Sequence, residues 1–580
     1  MTTYYTDEKN AQIIIALLKK NDIKKVVASP GATNVTFVGS IQSDPFFEIY
    51  SSVDERSAAY MACGLAAESG EPVVISCTGA TASRNYMPGL TEAYYRKLPV
   101  LAITSTQDVS RIGHHVAQVI DRGSLPNDIA KYSVTLPIVK DDDDFWDCEI
   151  KVNKAILELS RHGGGPVHIN LPTLYSKSYV TQELPHVRKI NRITHCSDFP
   201  ELSKGRVAVF VGSHIDMTKE LTETIDRFCA SNDAVVFCDH TSGYKGKYRV
   251  LYSIVACQQM MDKTSTRPDL LIHIGEITGD YPTLGMVGKE VWRVNEDGEI
   301  RDTFRKLTNV FEMSEGYFFN QYIKTTNAIS DNYLALCKKQ LESVYNKLPE
   351  VPFSNVWFAS KMAHLIPENS TIHFGILNSL RTWNFFELPQ SVTSASNVGG
   401  FGIDGNVSSL LGASLVNKDK LYFGVIGDLA FFYDMNAIGN RHVGNNLRIL
   451  MVNNGKGTEF RQFNHLAANF NEDADRFIAA AGHYGNKSPN LVKHYAQDLG
   501  FEYMSASNKA DFDTVYKRFL TPTITTKPML FEVFTTNEDE STALQAMMNI
   551  EENIKGKAKD IAKNVLGKKG IKTLKGILGK

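Results

Sequence analysis

The chain has 580 residues, 43% of them hydrophobic, and a formal net charge of -2, which is too long for one core and suits three or four domains of ordinary size. The near-neutral charge gives no overall attraction to nucleic acid or to a membrane surface, so such contacts are confined to local patches. No apolar run reaches the roughly 18 residues of a spanning helix, and the polar start MTTYYTDEKN lacks a signal-peptide layout, which together point to a cytoplasmic body. Eight cysteines without a CxxC spacing read as reduced thiols rather than as a disulfide frame or a zinc site.

Short β-branched runs then alternate with helical stretches. KKVVAS before Pro30, EPVVISC ending at Cys77, LPVLAIT ending at Thr104 and GPVHINLP closing near Pro172 predict the parallel strands of a first unit over 1–178. A charged and polar crossing from about Tyr179 to Arg206 leads into a second unit, assigned to 190–345, with strands RVAVFVGS, AVVFCDH, PDLLIHIGE and EVWRVNED. Its VGSHIDMT turn lacks the glycine-rich fingerprint of a dinucleotide loop, so no nucleotide is expected there. Beyond LPEVPFS a third unit over 352–545 carries STIHFGI, LYFGVIGD, LRILMVNN and MLFEVFT. The fold class is therefore α/β, with three tandem doubly wound parallel-sheet domains. From 552 to 580 the chain carries nine lysines, with Ile554, Ala558, Ile561 and Val565 at helical spacing. This basic amphipathic tail is a candidate for peripheral contact with a membrane surface or a protein.

Gly427-Asp428 closes one predicted strand and Asn453-Asn454 closes another, and ligands of a doubly wound sheet gather outside such carboxyl ends. A hard divalent cation such as magnesium takes near-octahedral oxygen ligands. Asp428, the amide oxygen of Asn454 and the carbonyl of Lys456 form one such set and leave room for phosphate oxygens and water. The glycines of NNGKG allow close backbone approach to a phosphate, and the helix predicted after Asp428 presents its positive end. In VDERSAAYMACGLA, Glu55 precedes the small and apolar positions Ala58, Ala59, Met61, Ala62 and Gly64, so its carboxyl is expected to be half-buried. An acid held there can share its proton with a ligand nitrogen; its plainer role is to cap a helix beginning near Ser57.

Taken in order, SPGATN at Ser29–Asn34, VDER, TGATASRNYMPGL, GGFGIDGNVSSLLGAS and GDLAFFYDMNAIGN, closed by Asn453-Asn454, resemble the thiamine-diphosphate-dependent enzymes of the acetolactate synthase and pyruvate decarboxylase type. In motifs the chain is most similar to the menaquinone-pathway succinyl-enolpyruvyl-hydroxycyclohexene-carboxylate synthase branch. The resemblance implies thiamine diphosphate and Mg2+ as cofactors. It assigns Gly427, Asp428, Leu429, Ala430 and Asn454 to the diphosphate and its metal, and Gly31 and Thr81 to the other half of the site. By the same resemblance Glu55 bonds the aminopyrimidine ring and promotes loss of the thiazolium proton, Ile403 props the bent cofactor, and Gln118 lines it. His114-His115 matches a histidine pair of some decarboxylases, where imidazole protonates an intermediate or orients an acceptor. Because the family builds each site from two subunits, a homodimer is the implied minimum.

The substrate residues depart from that branch. Ala32-Thr33 stand where it has serine and arginine, Gln107-Asp108 stand where it has an arginine, and Arg381 lies near a later arginine in a shifted local order. Arginine forks match carboxylates bidentately, so an acceptor with several carboxylates is disfavoured. The expected reaction is decarboxylation of a 2-oxo acid with transfer of the activated acyl fragment to a small-molecule acceptor that the sequence does not name. Two alternatives stand beside it: a non-ligating decarboxylase that releases an aldehyde, and a catalytically silent scaffold docked through the basic tail.

Overall fold

A computed structural model describes residues 4–324, 331–484 and 487–551, so the basic tail at 552–580 lies outside the described residues. The chain divides into two compact units, one drawn from 1–198 with 297–312 and the other from 199–296 with 313–580.

The first unit holds a six-stranded sheet of β1 (Lys25–Ala28), β2 (Glu48–Ser51), β3 (Val73–Cys77), β4 (Val100–Gln107), β5 (Tyr132–Thr135) and β6 (Val167–Thr173). Its order is β2-β1-β3-β4-β6-β5, with every pairing parallel. Successive side chains of a strand face opposite sides, and the two sides have separate cores. Val26, Val74, Leu101 and Ile103 pack with the helices Lys9–Lys20 and Asp142–Glu158. Val27, Val73, Ile75 and Ala102 pack with the helices Glu55–Ser69 and Met87–Tyr95. Those last two helices meet closely, since a Cβ on Gly89 would stand 2.4 Å from the Ala59 Cβ. Also within this unit, β7 (Asn191–Ile193) pairs in parallel with β13 (Leu307–Phe311).

The second unit carries β8 (Val207–Val211), β9 (Val235–Cys238), β10 (Arg249–Leu251), β11 (Leu270–Ile274) and β12 (Glu290–Val294), ordered β10-β9-β8-β11-β12. It also carries β14 (Thr371–Phe374), β15 (Thr393–Ser396), β16 (Tyr422–Gly427), β17 (Leu447–Asn453), β18 (Glu502–Ala506) and β19 (Met529–Phe534), ordered β15-β14-β16-β17-β19-β18 and parallel throughout. This winding repeats that of the first sheet. In each, the chain steps outward by one strand and then reverses, which leaves a crevice at the carboxyl ends of β1 and β3 and of β14 and β16. The predicted runs coincide with inner strands, whereas β5, β10, β15 and β18 at the sheet edges carry no such run. Among the described residues no helix is long and apolar enough to cross a membrane.

Candidate active site

The crevice of the third sheet gathers the residues predicted for 352–545. Register pairs Gly427 with Val452, which sets Asp428 beside Asn453-Asn454 at one sheet edge. The Gly455 amide donates to Asp428 Oδ2 at 2.7 Å and ties the two strand ends together. Gly455 lies at φ 77, the left-handed region that favours glycine. The loop after β15 brings Ile403, whose carbonyl accepts from Asn406 Nδ2 at 2.9 Å. One cavity of about 150 Å³ is lined by Ile403, Gly427, Asp428, Leu429, Ala430, Asn454 and Lys456. Thus every residue predicted for this half lines the same cavity.

The electrostatics of this cavity favour a cation at Asp428. The side chain is 5% exposed, Oδ1 accepts from the Leu429 amide at 2.8 Å, and Oδ2 is held by Gly455. Burial pushes the carboxyl up to about 7 despite those two hydrogen bonds, with repulsion from Glu532 adding to the shift. A buried acid with no positive charge facing it is one whose charge a bound metal ion would satisfy. Among the described residues no group of three His, Cys, Asp or Glu side chains could hold a metal. The donor set here is instead a carboxylate, the Asn454 amide oxygen and a backbone carbonyl, which are hard oxygens suited to Mg2+. The neighbouring cations are already engaged: Lys456 Nζ with Asp475 at 2.7 Å, Arg461 with Asp475 at 3.5 Å, and Arg381 with Glu459 at 2.7 Å.

Within the first unit, Gly31 and Gln118 sit on the loops after β1 and β4, and Thr81 opens the helix that follows β3. The crowding there is specific. A Cβ on Gly31 would stand 2.6 Å from the Thr78 Cβ, and one on Gly79 would stand 3.3 Å from the Gln118 carbonyl oxygen. Thr81 is exposed and opens the helix Thr81–Asn85, directly after Ala80 at φ 57. Glu55 is half-buried, as the flanking residues require, and its Oε2 accepts from Asn85 Nδ2 at 3.2 Å. The capping role considered for Glu55 is corrected: the helix starts at Glu55 rather than near Ser57, and Asp54 caps it by accepting from the Ser57 amide at 2.8 Å. His114 and His115 are exposed, as is Gln118, with His115 at φ 54 and Gln118 at φ 64.

Comparison with known proteins follows this division. Residues 8–125, which contain Gly31, Glu55, Thr81 and Gln118, match the family described as thiamine pyrophosphate enzyme, N-terminal TPP binding domain. The chain is 30% identical over 569 residues to a 2-succinyl-5-enolpyruvyl-6-hydroxy-3-cyclohexene-1-carboxylate synthase from Bacteroides fragilis, an alignment that covers 93% of this chain and 98% of that protein. The chain belongs to the thiamine pyrophosphate enzymes. Proteins of the same description from Bacteroides thetaiotaomicron and Flavobacterium psychrophilum are 29% and 27% identical, over 93% and 90% of this chain and 98% and 96% of their own lengths. In this thiamine pyrophosphate enzyme the cavity beside Asp428 also draws on residues that the sequence reading missed, among them Asn355 and Asn378. Both bond to the buried Glu540: the Asn355 backbone N–H donates to Oε1 at 3.0 Å and Asn378 Nδ2 to Oε2 at 3.2 Å. Burial pushes the Glu540 carboxyl up to about 7. The nearest signal in the chain is NSL at Asn378–Leu380, and it follows Leu377, a non-glycine residue held at φ 64.

Proposed function

We propose that the protein uses thiamine diphosphate and Mg2+ to decarboxylate a 2-oxo acid and passes the acyl fragment to a second substrate, forming a C–C bond. The observation that carries this reading is the single cavity lined by Ile403, Gly427, Asp428, Leu429, Ala430, Asn454 and Lys456. Thiamine diphosphate, when bound, supplies the sink for the electrons released as carbon dioxide leaves. Asp428, Asn454 and the Lys456 carbonyl would hold Mg2+ against the diphosphate, and small Gly427 and Ala430 leave the backbone accessible beside it. Ile403 would support the cofactor from the cavity wall. Glu55 would hold the transferable proton at its carboxyl, oriented by Asn85. The similar proteins are described as synthases, which supports ligation over release of an aldehyde. Pairing of Arg381 with Glu459 supports an acceptor that asks for fewer guanidinium contacts than one with several carboxylates. The exposed positions of His114 and His115 give the simple decarboxylase no added support.

The working unit is proposed to be a homodimer. The helix Glu55–Ser69 and the residues before it expose Val53 at 80%, Tyr60 at 47% and Met61 at 41%, an apolar surface that a second copy would cover. Light scattering at working concentration checks this, and a strict monomer with full activity would refute it. The reaction is tested by titrating thiamine diphosphate with Mg2+ and then measuring carbon dioxide release from a panel of 2-oxo acids, with and without acceptors. Carbon dioxide release with only free aldehyde as product under every acceptor would remove the ligase and leave the decarboxylase.

A further inference from the structure

On the reading that Asp428, Asn454 and the Lys456 carbonyl hold Mg2+, we infer that Glu532 is a positioning residue for that metal. From the middle of β19 it fixes Asn453, and with it the turn that carries Asn454 and Lys456. Glu532 is 1% exposed. In register it stands beside Met451 of β17, and Met451 and Leu530 both belong to an apolar core. Burying an acid there costs the fold more than burying an apolar side chain of the same shape, so its presence points to the atoms it holds. Both of its oxygens are engaged by neutral donors. Oε1 accepts from Asn453 Nδ2 at 2.7 Å and Oε2 from the Tyr503 hydroxyl at 2.8 Å.

The bond to Asn453 ends where the ligands begin. Asn453 is the last residue of β17, and Asn454 follows it directly. Asn453 is held twice by the neighbouring strand, its side chain by Glu532 and its carbonyl by the Thr535 N–H at 3.0 Å. Two residues further on, the Gly455 N–H is held by Asp428. Asn454 therefore lies between two fixed points. Its own amide oxygen is approached by the Lys456 N–H at 3.5 Å, too long for a strong hydrogen bond, so the backbone on either side sets where that oxygen stands. The Lys456 carbonyl lies one residue beyond Gly455 and depends on the same turn. Asn453 is 5% exposed, so without Glu532 its amide would be buried unpaired and the strand end would shift to find a new partner. Groups that stand behind metal ligands orient them, and losing one costs roughly 10–100-fold in metal affinity.

The test is calorimetric titration of Mg2+ into the full-length protein with thiamine diphosphate present, beside urea unfolding of the same variants without either. Glu532→Met fills the space but removes the acceptor, and should weaken Mg2+ binding roughly 10–100-fold. Glu532→Gln can keep an oxygen on Asn453 and donate to the Tyr503 hydroxyl, so it should bind Mg2+ nearly as the unmodified protein does. Tyr503→Phe removes the other hydrogen bond, and should lower the urea midpoint while leaving Mg2+ affinity unchanged. Full affinity in Glu532→Met would overturn the proposal. So would equal weakening in Glu532→Gln, because the charge and not the bond to Asn453 would then be at work. Weakening in Tyr503→Phe would overturn it too, since any loss of stability would then loosen the metal. If Glu532→Met does not fold, Asn453→Ala removes the same bond from the other side and is held to the same outcome. An unmodified protein that binds no Mg2+ beside the cofactor would instead remove the metal site itself, and this role of Glu532 with it.

Discussion

The first and third sheets share one winding, β2-β1-β3-β4-β6-β5 against β15-β14-β16-β17-β19-β18, and differ in what stands at their carboxyl ends. After β3 the chain turns through Thr78, Gly79 and Ala80 into an exposed Thr81, and the acid of that half, Glu55, is half-buried with Asn85 as a neutral partner. After β16 the chain places Asp428 almost fully inside, held by two amides and faced by no cation. One topology thus makes two crevices whose acids have different surroundings. A buried carboxylate with unmet charge suits a metal ion, and a half-exposed one with a neutral partner suits proton exchange.

That contrast breaks if the two acids behave alike. Glu55→Gln should slow exchange of the thiazolium proton by roughly 10²–10⁴-fold while cofactor affinity changes little; exchange at the unmodified rate would end the assignment. Asp428→Ala should act in the opposite way and weaken Mg2+-dependent cofactor binding by more than roughly 100-fold, since even outer partners of a metal cost 10–100-fold. Calorimetric titration of both variants side by side separates the roles.

Acid titration sharpens the comparison further. Burial raises Glu540 to about 7 in the folded state, so the native protein binds the extra proton. Its contribution is full below the ordinary carboxylate pKa and is lost as pH rises toward about 7, so stability of the cofactor-free protein should fall over that window. Glu540→Gln should flatten the slope by on the order of 3 kcal/mol at most, read from urea unfolding at pH 5 and pH 8. An unchanged slope would place the titrating group elsewhere. The smallest effect belongs to the first sheet: Gly31→Ala should cost about 1–3 kcal/mol, because the new Cβ meets Thr78, and a neutral result would show that this crossing yields easily.

The chain by itself determined the inner strands and which residues gather at the crevice of the third sheet. β1, β3, β4 and β6, like β14, β16, β17 and β19, are packed on both sides, and burial on two faces demands the continuous β-branched runs that can be read directly. Asp428 and Asn454 follow such runs immediately, so their place at a shared edge was legible too. The edge strand β15 was not: it is at most partly buried, so no hydrophobic pattern is imposed on Thr393–Ser396. Nor was Glu540, whose surroundings come from far along the chain; it meets Asn355 across 185 positions. Local periodicity records which faces are apolar. Whether a charge is buried, and what is left to balance it, is decided only when distant segments close around it.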